Sequence, residues 1–136
     1  MTSDIVLVDT TIWIHFLRGT DVKFRERLVP LIMTDRAATT PVVIMEILRG
    51  AKSQKEYDQL SKDLAALRSF DLSTKVWERA CKLAYTLRHK GINAPLTDTL
   101  IAAVAQEFNI LLLHDDRHYE MIGSVVQLQH ESLKPG

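Results

Sequence analysis

Residues 5–17 read IVLVDTTIWIHFL, and the stretch changes period at Asp9. Ile5 to Val8 is a short, wholly apolar run of mostly branched residues, the form of a strand covered on both faces. From Thr11 onward, Ile12, Trp13, Phe16 and Leu17 keep one helical face, and Gly19 stands where a left-handed cap would close that helix. A covered strand feeding a helix is the opening unit of a parallel α/β fold. It leaves a carboxylate at the hand-over, and the rest of the chain has to explain why.

The units that follow repeat the alternation. Asp21 or Thr20 can cap a second helix carrying Phe24, Leu28, Leu31 and Ile32, in which Pro30 signals a kink or an early stop. Ala37 to Thr40 reads as a second strand, and Thr40 before Pro41 as an N-cap with proline at the first helical position of a helix reaching about Leu48. Ser53 opens a helix with Tyr57, Leu60, Leu64 and Leu67 on one face. Phe70 to Leu72 is too short to assign. Thr74 to Lys90 is an amphipathic helix carrying Val76, Trp77, Ala80, Leu83, Ala84 and Leu87, closed by Gly91, with Cys81 beside the apolar face as a small buried hydrophobe. Thr97 begins a helix to about Gln106, Ile110 to Leu113 is a strong strand, Asp116 to Ile122 a helical turn, and Val125 to Leu128 a last edge strand. Parallel strands need long crossovers, so this order implies an α/β, Rossmann-like three-layer sandwich around a mostly parallel sheet.

Composition narrows the function. A chain of 136 residues can bury roughly two-thirds of its unfolded surface, and one domain over residues 1–136 is expected. Lys plus Arg equals Asp plus Glu at 17 each, so no overall field draws in a polyanion; such a partner must be met locally. Cys81 alone can close no internal disulfide, no leader pattern precedes the first strand, and no apolar run approaches the roughly 18 to 20 residues that span a bilayer. A cytoplasmic protein without a membrane association is expected.

Open parallel sheets work beyond the carboxyl ends of their strands, and that rule selects the acids that matter. Asp9 follows the first strand, and the pair Asp115 and Asp116 follows the strand at Ile110 to Leu113 after His114. Asp98 lies in the first turn of its helix, and Glu46 sits among Val43, Ile44, Met45, Ile47 and Leu48. Each has a plain alternative: capping for Asp9, the helix dipole for Asp98, an ion pair with Arg49 for Glu46. Gathered at one edge, however, four carboxylates repel one another and call for a counter-charge. Oxygen donors without paired histidines or thiols suit a hard octahedral ion such as Mg2+ or Mn2+ and argue against structural zinc. Thr11 and Thr97 add hydroxyls that either orient an acid or cap a helix. Such an ion acidifies water and neutralises a phosphoryl oxygen, which is the chemistry of phosphodiester hydrolysis.

The motifs "LVDTTIWI" with Asp9, "VVIMEILRGA" with Glu46, "LTDTLIAAVA" with Asp98 and "NILLLHDDRHYEMI" with Asp116 resemble, in order and spacing, the PIN-domain ribonucleases. More narrowly they are similar to the VapC-type toxins of prokaryotic toxin–antitoxin pairs. The resemblance implies an endoribonuclease that hydrolyses RNA with metal-activated water, leaving 5′-phosphate and 3′-hydroxyl ends. Asp9, Glu46, Asp98 and Asp116 would be the catalytic and metal-holding acids for Mg2+ or Mn2+, with Thr11 at the family's small hydroxyl position. It also implies a cognate VapB-type antitoxin and a homodimer. In the last motif His114 stands for the family's threonine and His118 for its second acid, while Asp116 and Tyr119 stay in step. That leaves a fifth acidic ligand open, with Asp115 a poor substitute because it would point elsewhere if Asp116 points inward.

Other residues have plainer readings. Arg18, Arg49, Lys52, Arg88, Lys90 and Arg117 are solvated surface or the lining of an RNA groove. Trp13, Trp77 and Tyr85 are core or dimer contacts, and His15, His89 and His130 are structural or surface residues. The N-terminal helix pair and the helix from Ser53 could form a groove for a partner's amphipathic segment. Two competing functions remain: an aspartyl-phosphate phosphatase or phosphotransferase, although Thr11 stands where that pattern wants a second Asp, and a non-catalytic binding module whose acids only cap helices.

Overall fold

The structure, a computed structural model, describes residues 4–136. Five strands, β1 (Val6–Val8), β2 (Ala37–Thr39), β3 (Arg68–Ser69), β4 (Leu111–His114) and β5 (His130–Ser132), form one sheet in the order β3-β2-β1-β4-β5. Every pairing is parallel, with Val6 opposite both Ala37 and Leu111. Seven helices make the connections: α1 (Thr10–Arg18), α2 (Val22–Met33), α3 (Pro41–Arg49), α4 (Gln54–Ala65), α5 (Thr74–His89), α6 (Leu96–Phe108) and α7 (Arg117–Gly123). The chain moves outward from β1 to β3, then crosses back to β4. With right-handed crossovers this sets α1 to α4 on one face and α5 to α7 on the other, giving the expected three layers. The direction reverses between β1 and β4, which makes that gap the topological switch point.

Burial follows from the sequence pattern. Val6, Leu7 and Val8 are covered on both faces, as are Leu112 and Leu113, and the core continues through Ile12, Phe24, Leu28, Val43, Val76 and Ile101. The caps are largely those the residue types favour: Asp21 and Ser53 each accept a backbone N–H at their helix starts, and Gly19 takes a left-handed φ of 64° to end α1.

Several expectations need correction. The apolar run Val125 to Leu128 is not a strand; Val125 and Val126 both donate to the Ile122 carbonyl as the chain leaves α7, and the edge strand is the more polar His130–Ser132, registered against Leu112 to His114. Those apolar residues mark packing against the core, which requires no ladder partner. The third strand is Arg68–Ser69, ahead of Phe70 to Leu72. Pro30 does not stop the helix, which runs on to Met33; it faces solvent near the end of α2, where water can serve the carbonyl left without a donor. Cys81 is exposed rather than buried. Trp13 is core, but Trp77 and Tyr85 are 50% and 65% exposed, so they take no part in the core.

Leu7 has no exposed surface at the centre of the sheet. Leu7→Ala should therefore cost about 2–5 kcal/mol, read as a lower denaturant midpoint at unchanged m-value in urea unfolding.

Candidate metal centre

The carboxyl ends of β1 and β4 deliver Asp9 and Asp116 to the switch point, and the first turn of α6 brings Asp98 to it. Asp9 is the N-cap of α1 and at the same time the inner wall of the cluster. Its Oδ2 accepts the Thr11 backbone N–H at 3.1 Å and the Thr11 hydroxyl at 2.7 Å, while its Oδ1 accepts the Tyr119 hydroxyl at 2.8 Å. The Tyr119 hydroxyl also lies 3.4 Å from Asp98 Oδ1, so a fully buried phenol ties the first acid to the third. Asp116 caps α7 by accepting the His118 backbone N–H at 2.9 Å. His118 Nδ1 then lies 2.9 Å from Asp116 Oδ1 and 3.1 Å from Asp98 Oδ2.

Glu46 stands at the margin of this group. The Thr10 hydroxyl donates to its Oε1 at 2.6 Å, so its partner is a threonine on α1 rather than Arg49. Its charge still reaches the others, adding to the upward shift of Asp9 and Asp98. Asp115 points away, as expected: its Oδ2 meets His15 Nε2 at 2.8 Å and its Oδ1 meets Lys134 Nζ at 3.4 Å, while its backbone N–H donates to the Thr11 hydroxyl at 2.9 Å. Thr97 is a correction. It supplies none of the hydrogen bonds that hold the acids and does not cap α6, whose N-cap is Pro95 with no side-chain acceptor.

Burial raises Asp9 above its ordinary range, against the opposing pull of the bonds from Thr11 and Tyr119. Burial, then the charges of Asp116 and Asp9, push Asp98 up to about 7. At Asp98 the neighbouring negative charge adds to burial, whereas at Asp9 burial leads and Glu46 contributes least. One ligand atom from each of Asp98, Asp116 and His118 lies within 4.8 Å of the others. The oxygen atoms of Asp98 and Asp116 could hold a divalent cation, and the His118 imidazole nitrogen lies beside them, where the motifs lead one to expect oxygen donors alone.

Three contributors were not evident from residue types alone. The Tyr119 hydroxyl is one, and Thr10 is another. The third is His114, fully buried at the end of β4. Its Nδ1 accepts the Asp116 backbone N–H at 3.1 Å, so the proton lies on Nε2, which donates to His130 Nδ1 at 3.0 Å. Burial, reinforced by His130, lowers His114 to about 4, keeping it neutral. His130 and His15 are thus structural, each through a named partner. A hydrogen-bonding residue at a strand end, followed two positions later by an acid, was the available signal.

The acids gather at the switch point of a parallel sheet, and a family profile for the PIN domain matches residues 6–124. The chain belongs to the PIN-domain family. Among its relatives, "Ribonuclease VapC18" of Mycobacterium tuberculosis is 26% identical over 132 residues, covering 94% of each chain. The fold is shared with solved structures of VapBC2 from Rickettsia felis bound to a promoter DNA fragment (TM-score 0.80, 22% identity, 96% of this chain and 99% of that one) and of DNA-bound VapBC from Salmonella typhimurium (TM-score 0.81, 20% identity, 95% and 98%). Among the described residues no helix is long and apolar enough to cross a membrane.

Stability should respond to pH through two opposed groups. The folded Asp98 holds its proton up to about 7 against an ordinary 3.8, so its contribution is complete below 3.8 and is lost as pH rises through about 7. His114 at about 4 against an ordinary 6.5 does the reverse, losing its contribution as pH falls from 6.5 to about 4. In chelator, Asp98→Asn should melt above the wild type at about pH 8, and its melting temperature should fall more steeply on acidification below 6.5. Thermal melts across pH check both signs.

Proposed function

We propose that the chain is a metal-dependent endoribonuclease, the toxin of a VapBC-type toxin–antitoxin pair, that hydrolyses RNA phosphodiester bonds. One observation carries the reading: Asp9, Asp98 and Asp116, far apart in sequence, meet around Tyr119 and His118 at the switch point of the sheet. The relatives' printed names agree with it. Asp9, Glu46, Asp98 and Asp116 would hold Mg2+ or Mn2+ there. The chemistry such an ion supplies when bound is Lewis acidity, which lowers the pKa of a water and neutralises charge on the scissile phosphate.

The chain's own groups divide the remaining work. Thr11 and Tyr119 fix both oxygens of Asp9, so that carboxylate is oriented before substrate arrives. Thr10 restrains Glu46 at the open side, where a cleft of about 470 Å³ runs between α1, α3 and α4, lined by Ile14, Leu17, Arg18, Glu46, Lys52 and Leu60. Arg18 and Lys52 can meet phosphates entering along that cleft, which is how a chain of zero net charge would hold RNA. The same apolar and basic lining suits the amphipathic segment of a VapB-type antitoxin, which would cover Glu46 and close the site. Exposed Tyr85 and Leu96, flanking a groove at the end of α5, suit a homodimer contact. The expected setting is the cytoplasm.

An aspartyl-phosphate mechanism is disfavoured beside Asp9: where that pattern wants a second Asp as acid and base, the chain has Thr11, whose hydroxyl donates to Asp9 Oδ2. A binding module that used its acids only as caps would not require Asp98, which caps nothing.

Defined RNAs incubated with Mn2+ should be cut to products with 5′-phosphate ends by the wild type and left intact in chelator. Asp98→Asn and Asp9→Asn should each lower the rate on the order of a thousandfold or more while keeping the far-UV spectrum. Full cleavage by either variant, or by the wild type in chelator, would refute the assignment.

A further inference from the structure

His118 has no cap to make and little core to fill. The capping bond to Asp116 comes from the His118 backbone N–H, so its side chain is not needed for it. That side chain is 26% exposed, so part of the ring faces solvent. Its Nδ1 nevertheless turns inward to lie 2.9 Å from Asp116 Oδ1 and 3.1 Å from Asp98 Oδ2. Both are ordinary hydrogen-bond distances, and one ligand atom from each of Asp98, Asp116 and His118 lies within 4.8 Å of the others. One imidazole and two carboxylates therefore present three donor atoms close enough together to share one ion.

We propose that His118 Nδ1 is a ligand of the ion this centre takes, and that it shifts the centre's preference from Mg2+ to Mn2+. The proposal rests on the metal-dependent reading above. Mg2+ is hard, keeps its waters and gains little from replacing an oxygen donor with imidazole nitrogen. A first-row transition ion gains more, and Mn2+ combines that tolerance with a liking for the oxygen-rich surroundings that Asp9, Asp98 and Asp116 provide.

The test is pulsed electron paramagnetic resonance on the full chain loaded with Mn2+, beside competition titrations of Mn2+ against Mg2+. The wild type should show the echo modulation of a directly bound 14N nucleus, changed in pattern when the chain is labelled with 15N-histidine. His118→Asp should still bind Mn2+ but lose that modulation, and its Mn2+ over Mg2+ preference should fall by about tenfold. His118→Gln should also lose the modulation, which guards against an effect peculiar to the added charge. Bound Mn2+ in the wild type without histidine-nitrogen modulation, or the same ion preference in wild type and His118→Asp, overturns the proposal and leaves the metal-dependent reading standing. Failure of the wild type to bind either ion overturns both, and Asp98→Asn, expected to lose Mn2+ binding, shows that the signal comes from this centre.

Discussion

Like charge crowded into a partly buried edge is the constraint that the rest of this structure accommodates. At an effective dielectric of about 20, two carboxylates 4 Å apart repel by about 4 kcal/mol. The fold meets part of that cost with helix ends. Asp9 caps α1, Asp116 caps α7 and Asp98 sits in the first turn of α6, so three positive helix termini face the cluster. Each is worth about 0.3–1 kcal/mol, and up to about 2 kcal/mol when partly buried. That sum falls short of several close repulsions; burial first and the neighbouring acids second hold Asp98 raised, while Asp9 is raised chiefly by burial.

The cluster also removes an apparent choice between capping and chemistry. For Asp9, one oxygen serves the α1 cap and the other accepts from Tyr119. For Asp116, a single oxygen receives the His118 backbone N–H and faces the imidazole of the same residue. Capping aims these side chains and leaves donor capacity free, because a carboxylate offers about four lone-pair directions. The helix starts are the mounting for the site.

Support for this edge extends beyond the acids. Neutral His114 receives the Asp116 backbone N–H and passes its other proton to His130 on β5, so the edge strand braces the loop that carries the last acid. The contact is close on the far side as well: a Cβ on Gly123 would meet His130 Nε2 at 2.8 Å, leaving room there for glycine alone unless the ring moves. On the near side, Asp115 joins the Thr11 hydroxyl, His15 and Lys134 into a second brace. Two aspartates adjacent in sequence thus serve different ends, one at the centre and one in its frame.

The residues by themselves determined the strand-to-helix alternation, the covered strands β1 and β4, and the arrival of Asp9 and Asp116 at one edge, since period and strand direction are local properties. They also marked Glu46 as an acid out of keeping with its neighbours and placed Asp98 in the first turn of its helix. Only the tertiary structure decided that Tyr119 would join Asp9 to Asp98, that Thr10 rather than Arg49 would hold Glu46, that Thr97 would hold none of them, and that the His118 imidazole would lie against both Asp98 and Asp116. The edge strand at His130–Ser132 was equally hidden, because a neighbouring backbone chooses ladder register while apolarity records only burial. Contacts between side chains a hundred residues apart depend on the closing of the sheet, and no local pattern carries the distance or direction at which they meet.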